Sequence, residues 1–115
     1  MDGFYLTNGY EQMVEGVKIK TLKKDDFMIM SESILKKGVK LPQHSHPSVK
    51  TGYLLKGKIM LYINGYVREL IPGSSWCIQD HLKHWAEILE ESVVIEVFSP
   101  AKESSEPEYD VEESR

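Results

Sequence analysis

Two histidines one residue apart, His44 and His46, stand in the segment LPQHSHPSVKTG at residues 41–52. On a β-strand such residues project from the same face, about 6.6 to 6.8 Å apart along the backbone, so both imidazoles can turn toward one ion. Alone, the pair is a weak indication of a metal site.

His81 and His84 follow about forty residues later, near the start of another apolar segment. If that segment is a strand packed beside the first, His84 supplies a third nitrogen donor, while His81 is either a substitute donor or an exposed loop residue. Three neutral imidazoles with open coordination positions suit Zn, Ni, Fe or Mn as a working site, because the ion keeps room for water or substrate.

A carboxylate interrupts the apolar segment VVIEVF at residues 93–98. Alternation places Glu96 on one face with Val94 and Phe98. An isolated acid in a strand often faces solvent; if Glu96 instead faces the interior beside His84, it is placed to move a proton.

The elements that must position these side chains are short strands. Segments rich in Val, Ile, Tyr and Phe, separated by Gly, Pro and Asn, are typical of strand spacing. We predict strands over residues 17–22, 27–35, 51–55, 58–63, 66–71, 75–78, 84–90 and 93–98. Helical periodicity is absent, so the fold class is all-β, a closed barrel or jelly roll that protects its strand edges.

Asn64-Gly65 gives the firmest local prediction, because both residues accept the positive φ of a type I′ hairpin turn. A two-residue turn pairs Ile63 with Tyr66 and continues outward along both strands. It places Ile59, Leu61 and Ile63 on one face.

Length, charge and cysteine content restrict the function classes. A chain of 115 residues forms one domain. Its net charge of -4 arises in residues 102–115, which hold six acids and two bases, so residues 1–101 are balanced. We therefore expect neither nucleic acid nor an anionic membrane as partner. The single Cys77, and a start without a basic segment followed by an apolar one, favour a cytoplasmic protein.

The C-terminal segment 102–115 is acidic and poor in aliphatic residues. It cannot bury enough apolar surface to offset its ordering entropy. We predict a barrel domain over residues 1–101 and a disordered acidic tail over 102–115, which alternatively covers a partner subunit.

The histidine pair lies in a segment that resembles the first motif of the cupin superfamily: Gly, five residues, His, one, His, three or four, Glu, six, Gly. Here these positions are Gly38, His44, His46, Lys50 and Gly57, with matching spacing. Lysine therefore replaces the acid.

A second segment resembles the other cupin motif: Gly, five residues, Pro, one, Gly, two, His, three, Asn. Here the positions are Gly73, Gln79, His81, His84 and Ile88. The spacing holds and three residue types depart. The resemblance, over about residues 30–100, implies a cupin-type double-stranded β-helix with a divalent transition metal on His44, His46 and His84.

Within the superfamily, LPQHSHPSVKTGYLLKG, PGSSW and VIEVFSP are similar to the KdgF-like cupins of pectin and alginate breakdown, which linearise unsaturated uronates. In that group a glutamine ligand usually occupies the position of Lys50. The resemblance implies catalytic roles for Glu96, where the group has aspartate, for Phe98, and for Lys102, where it prefers arginine. It also implies a homodimer, as small cupins often form.

Lys50 leaves three alternatives open, because a protonated ammonium has three donors and no lone pair for a metal. Its long stem favours an ammonium extended to solvent, leaving a three-histidine site. It can instead stay inward and replace the metal as the positive charge, or the metal site can be degenerate.

These observations support three functions. The leading hypothesis is a small metal-binding cupin acting on a sugar acid by a metal-assisted lyase or isomerase reaction. The alternative is a non-catalytic cupin that binds or senses a small molecule, with Lys50 providing the charge. The third is oxygen chemistry at a three-histidine iron.

Overall fold

The computed structural model describes residues 9–45, 48–79, 81–99 and 108–109, and of residues 43–45 and 108–109 it describes the backbone. This part of the chain contains strands and no helix, which confirms the all-β prediction. Within it, no helix has the length and hydropathy needed to span a membrane. The strands are β1 (Glu11–Val14), β2 (Val17–Lys24), β3 (Ile29–Leu35), β4 (Lys40–Ser45), β5 (Val49–Ile63), β6 (Tyr66–Leu70), β7 (Ser75–Ile78), β8 (His84–Ser99) and β9 (Glu108–Tyr109).

Two long strands, β5 and β8, form the centre of the fold. They pair antiparallel along their whole length, from Val49 opposite Ser99 at one end to Ile63 opposite His84 at the other. The sequence predicted two shorter strands for each of them. The structure joins each pair of segments, and the pairing shifts register between Leu54 and Ile59 instead of ending in turns.

The bend of these two strands is fixed by a glycine and a buried serine. Gly57 has φ +106°, and a Cβ there would overlap the Ser92 hydroxyl. The Ser92 Oγ accepts the N–H of Lys58 at 3.2 Å and donates to the carbonyl of Glu90 at 2.7 Å. Ser92 is fully buried. Its hydroxyl therefore provides hydrogen bonds for one backbone N–H group and one carbonyl at the point where the strand pairing is irregular.

The bend divides the strands into two layers. In the first layer, β3 and β7 pair with the second half of β8 and the first half of β5, and β2 and β1 extend beyond β3. In the second layer, β4 and β6 pair with the first half of β8 and the second half of β5. Buried apolar side chains from both layers form one core, which includes Leu54, Ile59, Leu61, Ile88 and Val94.

The hairpin between β5 and β6 has the predicted geometry. Asn64 and Gly65 have φ of 49° and 85°. Ile63 is opposite Tyr66, and Ile59 and Leu61, both buried, face the core. Turn chemistry and alternation together therefore set the register.

The last described strand, β9, pairs with β4, so that Tyr109 is opposite His44 in the backbone register. The rest of the segment 102–115 lies outside the described residues. The domain boundary at residue 101 and the disorder of the tail stay predictions.

Candidate functional site

A cavity of about 740 Å³ lies between the two layers. Most of its wall is apolar and comes from the same residues that build the core. The polar side chains on this wall are Ser31, Ser33, Lys50, His84 and Glu96, together with Glu15 and Lys40. The cavity therefore combines a large apolar surface with a few polar groups, as small-molecule sites in proteins generally do.

Strand register sets the order of side chains on the wall of the first layer. Phe98 on β8 is opposite Lys50 on β5, and Glu96 is opposite Gly52. Because residues two apart on a strand share a face, Lys50 and Glu96 are diagonal neighbours across the ladder. Glu96 therefore shares the interior face with Val94 and Phe98, as alternation indicated.

Lys50 and Glu96 form an ion pair on this wall. Lys50 Nζ lies 3.2 Å from Glu96 Oε2, and the two side chains are 11% and 16% exposed. The same Nζ lies 5.9 Å from the centroid of the Phe98 ring. The expectation that Lys50 extends to solvent is wrong. Glu96, which pairs with the ammonium inside the protein, lies forty-six positions later in the chain, so the sequence around Lys50 does not indicate this partner.

Small side chains surround Glu96. Ser31 on β3 is opposite Glu96 on one side, and Gly52 is opposite it on the other. Ser31 and Ser33 are buried at 5% and 4% exposure. The sequence reasoning did not select these serines, although their spacing between Ile29 and Leu35 on one face of β3 is the pattern that could have revealed them.

His84 stands at the start of β8 and lines the same cavity, with 2% of its surface exposed. Its Nδ1 lies 2.9 Å from the carbonyl oxygen of Leu82. In a neutral imidazole this contact makes Nδ1 the protonated nitrogen and leaves the lone pair on the buried Nε2. Metal-binding histidines are held in the same way, by a second hydrogen bond that fixes the tautomer.

The other predicted donors are described only in part. In the backbone register His44 is opposite His84, so β4 and β8 bring these two positions together. The side chain of His44, all of His46 and the catalytic candidate Lys102 lie outside the described residues. His81 is exposed, with φ +64°.

The fit of a metal depends on these donors. Among the described residues, no group of three or more His, Cys, Asp or Glu is arranged to hold an ion. His84 fits the role of a nitrogen ligand. Lys50 does not fit the fourth ligand position of the motif. Its ammonium has no lone pair to offer a metal and is bonded to Glu96 instead. The ligand set His44, His46 and His84 stays a prediction.

Comparison with protein families gives a match to the Cupin domain family over residues 30–98. This match covers more than half of the chain. The chain is a cupin. The antiparallel pairing of the described strands, without helices, agrees with this assignment. A comparison with curated proteins found no match.

Solved structures similar to this cupin include KdgF from Halomonas sp., which is 25% identical with a TM-score of 0.77 over 81% of this chain and 88% of that one. An RmlC-like cupin from Shewanella frigidimarina is 23% identical, with a TM-score of 0.79 over 87% and 91% of the two chains. A cupin superfamily protein from Desulfitobacterium hafniense is 13% identical, with a TM-score of 0.71 over 79% and 84%. The last two show the fold alone. The predicted resemblance to small cupins of the KdgF-like group is confirmed.

Proposed function

We propose that this cupin binds a small acidic sugar in the cavity between its two layers. The observation that carries the proposal is the position of Lys50, whose ammonium is on the cavity wall, bonded to Glu96 and close to the Phe98 ring. Lys50 is a buried cation on a mostly apolar wall, and an anionic group of a ligand is a suitable acceptor for the N–H groups of its ammonium that Glu96 does not use.

The ammonium can bond to both its protein partner and a ligand. Lysine has three N–H donors, and Glu96 accepts at one contact of 3.2 Å. The remaining donors suit a ligand carboxylate, and the buried serines on β3 suit sugar hydroxyls. A cavity of about 740 Å³ is within the range of small-molecule sites and holds a monosaccharide without enlargement.

Isothermal titration calorimetry with D-galacturonate tests this proposal. Lys50→Met removes a charge-assisted hydrogen bond and should weaken binding by roughly 10- to 100-fold. Lys58→Met is the matched control, because Lys58 forms partly exposed ion pairs and does not line the cavity. Equal affinity of wild type and Lys50→Met, or no binding by the wild type to any uronate, would remove the proposal.

A second candidate is the opening of an unsaturated uronate to its linear keto form, with a metal on His44, His46 and His84. The tautomer of His84 and the 25% identity to KdgF favour it. A bound divalent ion supplies polarisation of a sugar oxygen. Glu96, a carboxylate in its pair with Lys50, would take the proton of the anomeric hydroxyl as the ring C–O bond breaks and the carbonyl forms, and would then return that proton to the enol carbon. Phe98 would position the ring and Lys102 would meet the carboxylate.

Two measurements test this second candidate. Elemental analysis of protein purified without a histidine tag should give one divalent ion per chain. Ultraviolet absorbance of an unsaturated uronate should decrease with the wild type and persist with Glu96→Gln, which keeps the shape of the side chain but cannot take up and release a proton. Persistent absorbance with the wild type contradicts the reaction and leaves the binding proposal standing.

A further inference from the structure

Trp76 is held against the backbone of β5 at a glycine. It is opposite Gly52 in the β5–β7 ladder. A Cβ at Gly52 would overlap the Cε2 and Cζ2 atoms of the indole, so the ring lies across the space that any other residue would fill. Trp76 is half-buried and is one of the residues that line the cavity.

The same row of the sheet connects Trp76 to the ion pair. Gly52 is opposite Glu96 on its other side, so the order across three neighbouring strands is Glu96, Gly52, Trp76. Adjacent strands are about 4.8 Å apart, which places the backbones of Glu96 and Trp76 about 10 Å apart. The indole lies over Gly52, and Gly52 is the strand neighbour of Glu96, so we expect the ring to border the place where Lys50 would hold a carboxylate.

We propose that Trp76 is a stacking platform, and that the cavity therefore selects acids with a sugar ring over open-chain acids. This inference rests on the proposed binding function and specifies its ligand class. Aromatic side chains provide a large rigid apolar surface, and one face of a pyranose ring is covered by C–H groups that match it. Gly52 is then part of the site, because it makes the space in which the indole lies.

Trp76 also packs against the hydrophobic core, so its function must be separated from its structural contribution. A structural role alone predicts that substitution lowers stability and leaves ligand preference unchanged. A platform predicts a change in preference between two acids of equal charge. D-galacturonate and D-galactonate make that comparison, because each has one carboxylate and the second lacks the uronate's ring.

Fluorescence reports on the indole without changing it. The other tryptophan, Trp85, stacks on Tyr62 with ring centroids 3.8 Å apart. It follows His84 and precedes Ala86, which both line the cavity, so alternation places it on the opposite face of β8. Trp85→Phe therefore leaves Trp76 as the only indole. Its emission should change as galacturonate is added, and the titration curve should give the same Kd as calorimetry.

The platform predicts a galacturonate affinity roughly 3- to 10-fold above that for galactonate in the wild type. Trp76→Leu should remove this preference, and Trp76→Phe should restore most of it. Circular dichroism melting confirms that each variant is folded, and the emission test on Trp85→Phe stands if Trp76→Leu does not fold.

Two results would overturn the inference in distinguishable ways. If both acids bind equally and emission is constant, while Lys50→Met weakens both, the platform is wrong and the proposed function stands. If neither acid binds the wild type, the proposed function and the platform fail together.

Discussion

Replacing Lys50 with methionine should destabilise the protein, although a surface lysine can usually be replaced without effect. At 3.2 Å and an effective dielectric of about 20, the attraction between Lys50 and Glu96 is about 5 kcal/mol. Part of it is offset by the desolvation of both charges. Removing one partner leaves a largely buried carboxylate without its cation, which costs about 3–5 kcal/mol at fully buried pairs. With 16% of the Glu96 side chain exposed, we expect about 2–3 kcal/mol.

A double-mutant cycle separates the pair from its two members. Lys50→Met and Glu96→Met should each lower the free energy of unfolding, whereas the double variant should lie within about 1 kcal/mol of the wild type, since an apolar replacement of both charges suits an apolar cavity. The expected coupling free energy is about 2 kcal/mol or more.

Urea unfolding followed by circular dichroism gives these values, provided that the m-value is the same for all variants. Lys58→Met is the control, because the Lys58–Glu69 pair is 3.8 Å apart with side chains 39% and 51% exposed, and it should change stability by less than about 0.5 kcal/mol. If the changes in the free energy of unfolding caused by the two single substitutions simply add in the double variant, or if Lys50→Met is as stable as the control, the interior position of Lys50 is refuted.

Three further predictions follow from other parts of the molecule. Gly57→Ala should lower the free energy of unfolding by about 1 kcal/mol or more beyond the effect of Gly38→Ala. Both glycines have positive φ, but only a Cβ at Gly57 would meet the Ser92 hydroxyl. Equal decreases in the free energy of unfolding, measured in urea, would contradict the proposed bend. The backbone N–H groups of Phe27 and Met28 lower the pKa of Asp25 below its usual 3.8. Its contribution to the free energy of unfolding is therefore present above the unfolded-state pKa and is lost as the pH falls through the folded-state pKa. A pKa of 3.8 or higher for Asp25, measured by NMR titration, would contradict this. The exposed Tyr53 and Leu55 lie on the outer face of the first layer and favour the predicted homodimer, so light scattering should give twice the chain mass of 13.2 kDa, whereas the mass of a single chain would refute it.

Local rules explain the features that the sequence predicted well. Asn64 and Gly65 adopt positive φ because of their own chemistry, and the hairpin register follows from the turn. Alternation along β8 put Glu96 on the face of Phe98 without knowledge of any other strand.

Features that depend on distant strands could not be predicted in this way. The inward position of Lys50 depends on Glu96, which only the pairing of β5 with β8 brings near. The continuity of β8 was missed because the polar residues around Ser92 resemble a turn, whereas the serine bonds the backbone of a bend. The position of Trp76 depends on the absence of a side chain at Gly52.

A crystal structure of the protein soaked with D-galacturonate would show whether Lys50 binds the carboxylate of a ligand inside the barrel. We expect the carboxylate within hydrogen-bonding distance of Lys50 Nζ, with the sugar ring between Phe98 and Trp76. A sugar bound outside the cavity, or bound inside it with the carboxylate directed away from Lys50, would refute the role of Lys50.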